Sequence, residues 1–527
     1  MTVYHGSVVT CDAHESVFDY LVEEKGRILF VGDALPEQYA KSEHRIELGE
    51  RALLPSFGDG HLHFSNWSLI ASAFFDVRGA RNFEELGALI RDFSLRDRRS
   101  KIMAGFGVGR HTVAEKRLVT RQDLDAFLPD RPLYLFGYEG HSAVINSKML
   151  GMLPDRMKRV RGFHADTGHL FHEAYYEATD YITDTVPSLK IIKSIIHGYD
   201  LLAEKGIGLI HPVEGIGFPR DRDVSMVSLI ARARAKKNRF NTRLFFQTMD
   251  VEKVLRRKLP RIGGCFATAL DGCFSVCDAA LNEPYSHDPS NRGLLFYEDD
   301  EVVSFAKAAN REKLQIEFHV IGDAAVDQAV RALDAALKDH PRQDHRHALI
   351  HACLISPENL DKCAEMGIGI TLQPGFLISD LEPPKYLEEI LGDRVKMNSP
   401  LRHMVGSGIH VSGGSDAPVM PPDPIQGIYG ACNHPYDPGQ SLTIQQALKM
   451  FTYEVAWMSF DERERGSLEE GKIADMVILN KNPLRMEPKN LRELKVEQLL
   501  LSGRTYKSGM GLVGMLWNGL TAGGVKI

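Results

Sequence analysis

LQIEFHVIGDAAVDQAVRALDAALKDHPRQDHRHALIHACLI, residues 314–355, reads as strand, helix, strand. The runs LQIEF and HALI each end on a histidine, His319 and His351. Between them DAAVDQAVRALDAALK has apolar side chains at helical spacing and an Asp at its start to cap the helix. The pattern extends to both sides. VVSFAKAANREK precedes it, and SPENLDKCAEMG, GIGITLQP and GIHVSGGSD follow, the last ending at Asp416. Strands alternating with helices predict a parallel sheet covered by helices. A (β/α)8 barrel carries its chemistry at the C-terminal ends of its strands, where His319, His351 and Asp416 fall. His319 and His351 are 32 residues apart, and His351 and Asp416 are 65 apart. With about 30 residues per unit, these are steps of one and two units. The spacing assigns the three residues to the fifth, sixth and eighth strands.

The first strand is then PSFGDGHLHF, with His61 and His63. In a strand, residues i and i+2 face the same way, so both imidazoles could grip one metal. The pair alone is weak evidence. Chance supplies roughly one His-x-His in a chain with 21 histidines, and His345 and His347 form a second pair. Its weight comes from the other strand-end residues in order. His63 to His319 spans 256 residues, about twice what four units need, which predicts an insertion of roughly a hundred residues. The irregular, charge-rich stretch at about 65–200 is its place.

Both chain ends read as short strands: VYHGSVVTCD, YLVEEKGRILFVGDA and HRIELGERALLP at the start, DMVILNKNP and VEQLLLSGRTY near the end. Neither piece buries a core alone, so residues 1–54 and 467–527 are expected to form one composite β-sandwich beside a barrel spanning 55–466. The last eighteen residues, MGLVGMLWNGLTAGGVKI, are apolar enough to require a partner surface. Either the chain's own sandwich or a second copy in a homo-oligomer would serve.

Composition narrows the function. Apolar residues are 43% and charged residues 25%, the mix of a globular protein with a large core. A net charge of −7 without a basic block argues against nucleic acid and anionic membranes as partners. No apolar run is long enough to span a bilayer, and the N-terminus lacks the features of a signal peptide. Seven scattered cysteines suggest no disulfide framework, so a reducing, cytoplasmic setting is expected.

At these residues the chain resembles the amidohydrolase superfamily, and within it the amidohydrolase-3 family of YtcJ-like metal-dependent hydrolases. LLPSFGDGHLHF resembles the family's first-strand metal motif. YEGHSAVINSKML, with His141 and Asn146, TGHLFHEA, with Glu173, and LDGCFS followed by AALNEPY resemble further segments. HVIGDAAVD, RHALIHACLI, TLQPGF, GSDAPVMPPDPIQGIY and GSLEEGKIADMVILNKNPL follow in family order. The resemblance implies a (β/α)8 TIM barrel, a composite β-sandwich and one or two divalent metals, usually zinc. Carried over by position, the ligands are His61, His63, His319, His351 and Asp416. Asp271 of the D-G segment and His141 are expected at the substrate.

One position departs. The family usually has a lysine four residues before the Asp of its D-G segment, carboxylated to bridge two metals. Here that residue is Ala267, and no lysine occurs between Lys258 and Lys307. One metal is therefore favoured over two, with Glu214 the first candidate for an extra ligand and Cys265 the second. Cys273 and Cys277 read as pocket-lining or buried thiols.

The donor set suits zinc, and the expected reaction is hydrolysis of a linear or cyclic C–N amide-type bond of a small molecule. Asp416 would act as general base and acid, with His141 and His351 toward the oxyanion. Deamination or decarboxylation at the same site, and a non-catalytic binding or scaffold role, are the alternatives.

Overall fold

The computed structural model describes residues 1–98 and 100–527. The first barrel strand, Phe57–Leu62, is buried at every residue and pairs in parallel with the second, Ile207–Glu214. The third is Phe245–Phe246, the fourth Arg261–Gly263 and the fifth Gln315–Val320. The sixth, Ala348–His351, seventh, Gly369–Leu372, and eighth, Val411–Gly413, complete the parallel series. Such strands read as unbroken apolar runs because both faces are covered. His319 thus lies in the fifth strand, His351 ends the sixth and Asp416 follows the eighth, as the spacing predicts.

The eighth strand meets the first at the catalytic end. Asp416 N donates to His61 O and His63 N to Ala417 O, both at 2.8 Å. The approach leaves no room for a side chain: a Cβ on Gly414 would lie 2.7 Å from His61 N. Asp59 ties the seam further, accepting from His61 N at 3.2 Å, Ser415 N at 3.0 Å and Ser415 Oγ at 2.6 Å. Helices cover the outside. Asp323–Asp339, for example, turns Val326, Ala329, Val330 and Leu333 inward. Each Val or Leu so buried stabilises the fold by about 1.5–3 kcal/mol.

Between the first and second strands the chain builds a separate six-stranded sheet. Two of its strands, Met103–Val108 and Leu133–Gly137, are buried throughout and turn successive side chains to opposite faces, up to a register shift between Phe106 and Val108. Met103, Leu133 and Leu135 pack with Leu86 and Ile90 on one face. Ala104, Phe106, Tyr134 and Phe136 pack with Tyr175 and Ile182 of the helix His172–Thr185 on the other.

The chain ends do meet, and their strands join in one seven-stranded sheet. Met476–Leu479 pairs with His44–Pro55, which pairs with Thr2–Val9. Register shifts in Thr2–Val9 break its ladder, and the sheet encloses its own core of Tyr4, Leu21, Leu53, Met476 and Leu500. The helix Leu512–Thr521 does not dock on this sheet. It lies against the barrel helix Arg222–Asn238, where Gly519 meets Leu229 so closely that a Cβ would sit 2.7 Å from Leu229 Cδ1. Met515 is buried there, while Val513, Trp517 and Leu520 face outward. Among the described residues all seven cysteines are free, and no helix is long and apolar enough to cross a membrane.

Candidate metal centre and active site

His61 lies in the first strand and His63 caps the helix Phe64–Ala73. Both imidazoles face Asp416, with Nε2 to Oδ1 distances of 3.4 Å for His61 and 3.2 Å for His63. Asp416 and His351 have φ of 54° and 72°. Non-glycine residues rarely enter this left-handed region, and such strain concentrates where a side chain must be aimed. The rings of His61 and His351 lie 5.7 Å apart between centroids, and those of His319 and His351 4.6 Å apart. The structure therefore brings together all five residues expected as ligands.

These groups lack partners. Both ring nitrogens of His61, Nδ1 of His63, Nε2 of His351 and Oδ1 of Asp416 are buried without a hydrogen bond. Each such orphan costs about 1–3 kcal/mol, so a cluster of them marks a place built for something else to bind. Ligand atoms of His61, His63 and Asp416 all lie within 4.8 Å of one another, as do those of His61, Cys265 and His351. Imidazole, carboxylate and thiol donors fit a borderline divalent ion such as zinc.

Neighbouring groups fix the rings. His351 Nδ1 donates to Gln373 Oε1 at 2.5 Å, which leaves the lone pair on Nε2. His319 Nε2 donates to the Gly272 carbonyl at 3.1 Å, which leaves the lone pair on Nδ1, 3.0 Å from Cys265 Sγ. Burial holds these histidines neutral. It pushes His319 down to about 4 and His351 well below the usual range, with neighbouring His319 adding to the effect on His351. Burial alone would raise Asp416. The close approach of the His61 and His63 rings, with His351 nearby, outweighs it and holds the carboxyl well below its usual range.

Two expected residues are placed elsewhere. Asp271 does not line the cavities at the centre. Its carboxylate accepts from the backbone N–H groups of Ala280, Ile321 and Gly322 at 2.8–2.9 Å, pinning the loop behind His319. Glu214 accepts from Ser65 N at 3.0 Å and from Ser65 Oγ, and burial beside Asp223 raises its carboxyl well above the usual range. Asn146 is structural: it caps the helix Ser147–Met152 and binds the backbone of Leu128, Arg131 and Leu133.

Two cavities open beside the centre, and His141, Glu139, Asp416 and Val419 line both. One is walled by Phe74, Phe106, Phe136, Tyr175, Tyr176 and Phe266. The other contains Tyr138, Glu382, Phe376 and Cys353. Burial, together with Glu139, pushes Glu382 up to about 7. The Tyr138 hydroxyl donates to Glu382 at 3.4 Å, and the Ser142 hydroxyl donates to Glu139.

Sequence reasoning missed Gln373, Glu139 and Glu382. Gln373 had a readable signal, since it ends the run GIGITLQ at a barrel-strand terminus. Glu139 sits two residues before His141 in the quoted segment YEGHSAVINSKML, whereas Glu382 lies on a loop with no comparable mark.

The sequence matches the model of the amidohydrolase family over residues 45–506. YtcJ of Bacillus subtilis (strain 168) is 26% identical over 501 residues, covering 90% of this chain and 92% of that protein. N-substituted formamide deformylase of Arthrobacter pascens is 21% identical, covering 95% and 97%. The crystal structure of an uncharacterized metal-dependent hydrolase from Pyrococcus furiosus superimposes with a TM-score of 0.72 at 25% identity, covering 92% of this chain and all of that one. A family match across most of the chain, on a barrel whose strand ends gather partnerless histidines around a carboxylate, identifies it: this protein belongs to the amidohydrolase family of metal-dependent hydrolases.

Proposed function

We propose that the protein hydrolyses a C–N amide-type bond, linear or cyclic, of a small molecule, using one zinc ion per chain. The observation that carries this reading is the cluster of buried, partnerless ring nitrogens facing Asp416 between two cavities. A divalent ion held by His61, His63 and Asp416 supplies Lewis acidity toward a carbonyl and lowers the pKa of water to about 7. Asp416 takes the proton of the attacking water and returns it to the leaving nitrogen. His141, pushed down to about 3 by burial near His319, stays neutral and offers an N–H to the developing oxyanion. The products are a carboxylate and an amine. The relative named N-substituted formamide deformylase supports the bond type.

The cavities suggest the two arms of the substrate. The aromatic one suits an apolar substituent, and the one holding Glu139 and Glu382 suits an amine better than a carboxylate. Zinc-loaded protein should release amine from a member of an N-formyl, N-acyl, cyclic imide and lactam panel. Chelation should stop the release and added zinc restore it. No turnover across the panel with zinc bound would refute the reading. The outward strip of Val513, Trp517 and Leu520 also suits self-association. Sedimentation of Trp517→Ser beside the native protein should then show the smaller species.

A further inference from the structure

The fourth barrel strand ends at Gly263, and the chain turns through Gly264 into the short helix Phe266–Thr268. Gly263 and Gly264 have φ of 99° and 120°, conformations that glycine enters without steric cost. A Cβ on Gly263 would meet the Glu317 carbonyl oxygen at 2.1 Å. This tight turn brings Cys265 to the mouth of the barrel, two residues before Ala267, the position that aligns with the family's lysine. Ala267 supplies no donor side chain, and its carbonyl accepts from the Tyr297 hydroxyl at 3.0 Å.

Cys265 is 2% exposed. Its thiol donates to His319 Nδ1 at 3.0 Å, the ring nitrogen left with the lone pair once Nε2 donates to Gly272. With ring nitrogens of His61 and His351 it forms a set spanning no more than 4.8 Å, and those of His61, with Nε2 of His351, are buried without hydrogen bonds.

We infer that Cys265 binds the metal as a thiolate, in the place of the family's fourth-strand lysine. The inference rests on the metal-hydrolase reading above and adds a ligand to it. On binding, the S–H bond breaks, the sulfur–metal bond forms and the proton leaves to solvent; a coordinating thiol is deprotonated outright beside such a cation. Charge supports the assignment. A dication with neutral imidazoles and one carboxylate leaves a net positive charge in a buried site, which costs several kcal/mol. The Cys265 thiolate and the Asp416 carboxylate together neutralise it. Glu214, the first candidate for an extra ligand, is held by Ser65 instead.

Cobalt(II)-substituted full-length protein tests this. The native protein should show a thiolate-to-cobalt charge-transfer band in the near ultraviolet. Cys265→Ser should lose the band, and Cys353→Ser, whose thiol lines the same cavity as His351, should keep it. Zinc affinity in Cys265→Ser should fall by more than the roughly 10–100-fold that loss of an outer-shell partner costs. Cobalt bound stoichiometrically by the native protein without the band would overturn thiolate ligation, as would a band that survives in Cys265→Ser. The native spectrum decides even if the variant fails to fold. Failure of the native protein to take up cobalt or zinc at all would instead overturn the metal centre itself.

Discussion

Two buried His-x-His pairs sit at opposite ends of the barrel. His345 and His347 precede the sixth strand, and His61 and His63 close the first. The spacing is the same, and all four residues are at most 3% exposed. Their hydrogen bonds differ. His345 Nε2 donates to Met366 O at 2.8 Å, and its Nδ1 accepts from His347 N at 3.0 Å. His347 Nε2 donates to Asn310 Oδ1 at 3.1 Å, and its Nδ1 accepts from Ile316 N at 3.1 Å. Every ring nitrogen of that pair is used. In His61 and His63, three of the four have no hydrogen bond. Unspent donors and acceptors, rather than spacing or burial, separate a site from a structural element.

The sharpest way to break this contrast is to remove one ring from each pair. His61→Ala should lose bound metal and all measurable activity, whereas His347→Ala should keep its metal, as elemental analysis after dialysis would show. Full occupancy in a His61→Ala, His63→Ala double variant would dissolve the distinction. Asp416→Asn keeps a ligand oxygen but removes the base. Turnover should fall at least roughly 10²-fold with metal largely retained, and near-normal turnover would move the proton transfer elsewhere.

The satisfied pair should register in stability instead. His347→Ala leaves Ile316 N without that partner, at about 1–3 kcal/mol for a buried orphan, measurable by denaturant unfolding, while Asn310 Oδ1 keeps Arg342 as a donor. The pH dependence has a definite sign. Burial holds His347 well below 6.5 in the folded chain, whereas the unfolded imidazole titrates near 6.5. The unfolded state therefore binds more protons in acid. The stability from keeping His347 neutral is complete above about pH 6.5 and falls below it by up to about 1.4 kcal/mol per pH unit. The deficit of His347→Ala should shrink between pH 7 and pH 5, and a constant deficit would contradict this. The smallest effect belongs to the acidic cavity. Glu382→Gln should weaken selection for amine-bearing over carboxylate-bearing substrates by less than about tenfold, the scale of an ion pair of ~1 kcal/mol.

Much of this was legible because barrel strands and their spacing obey simple periodicity. His319, His351 and Asp416 were placed on their strands by counting, and the excess before the second strand marked the insertion. The centre was readable where its residues end apolar runs. It became opaque where loop trajectories decide. A fourth strand of three residues followed by a turn through two glycines brings Cys265, not Ala267, within reach of the rings of His61, His319 and His351, which alignment by residue number cannot see. Asp271 carries the family's motif, yet its carboxylate is spent on three backbone N–H groups.

The aromatic wall over the centre has a consequence for ancestry. Phe106, Phe136 and Tyr175 belong to the sheet and helix inserted between the first two barrel strands, whereas His61, His63, His319, His351 and Asp416 belong to the barrel. The aromatic wall and the five expected metal ligands are thus inherited on separate stretches of chain, with His141 the one site histidine that the insertion supplies. A lineage can rewrite the insertion and change its guest while the reaction stays fixed. Likeness across the barrel should therefore group relatives by chemistry, and likeness across the insertion should group them by diet.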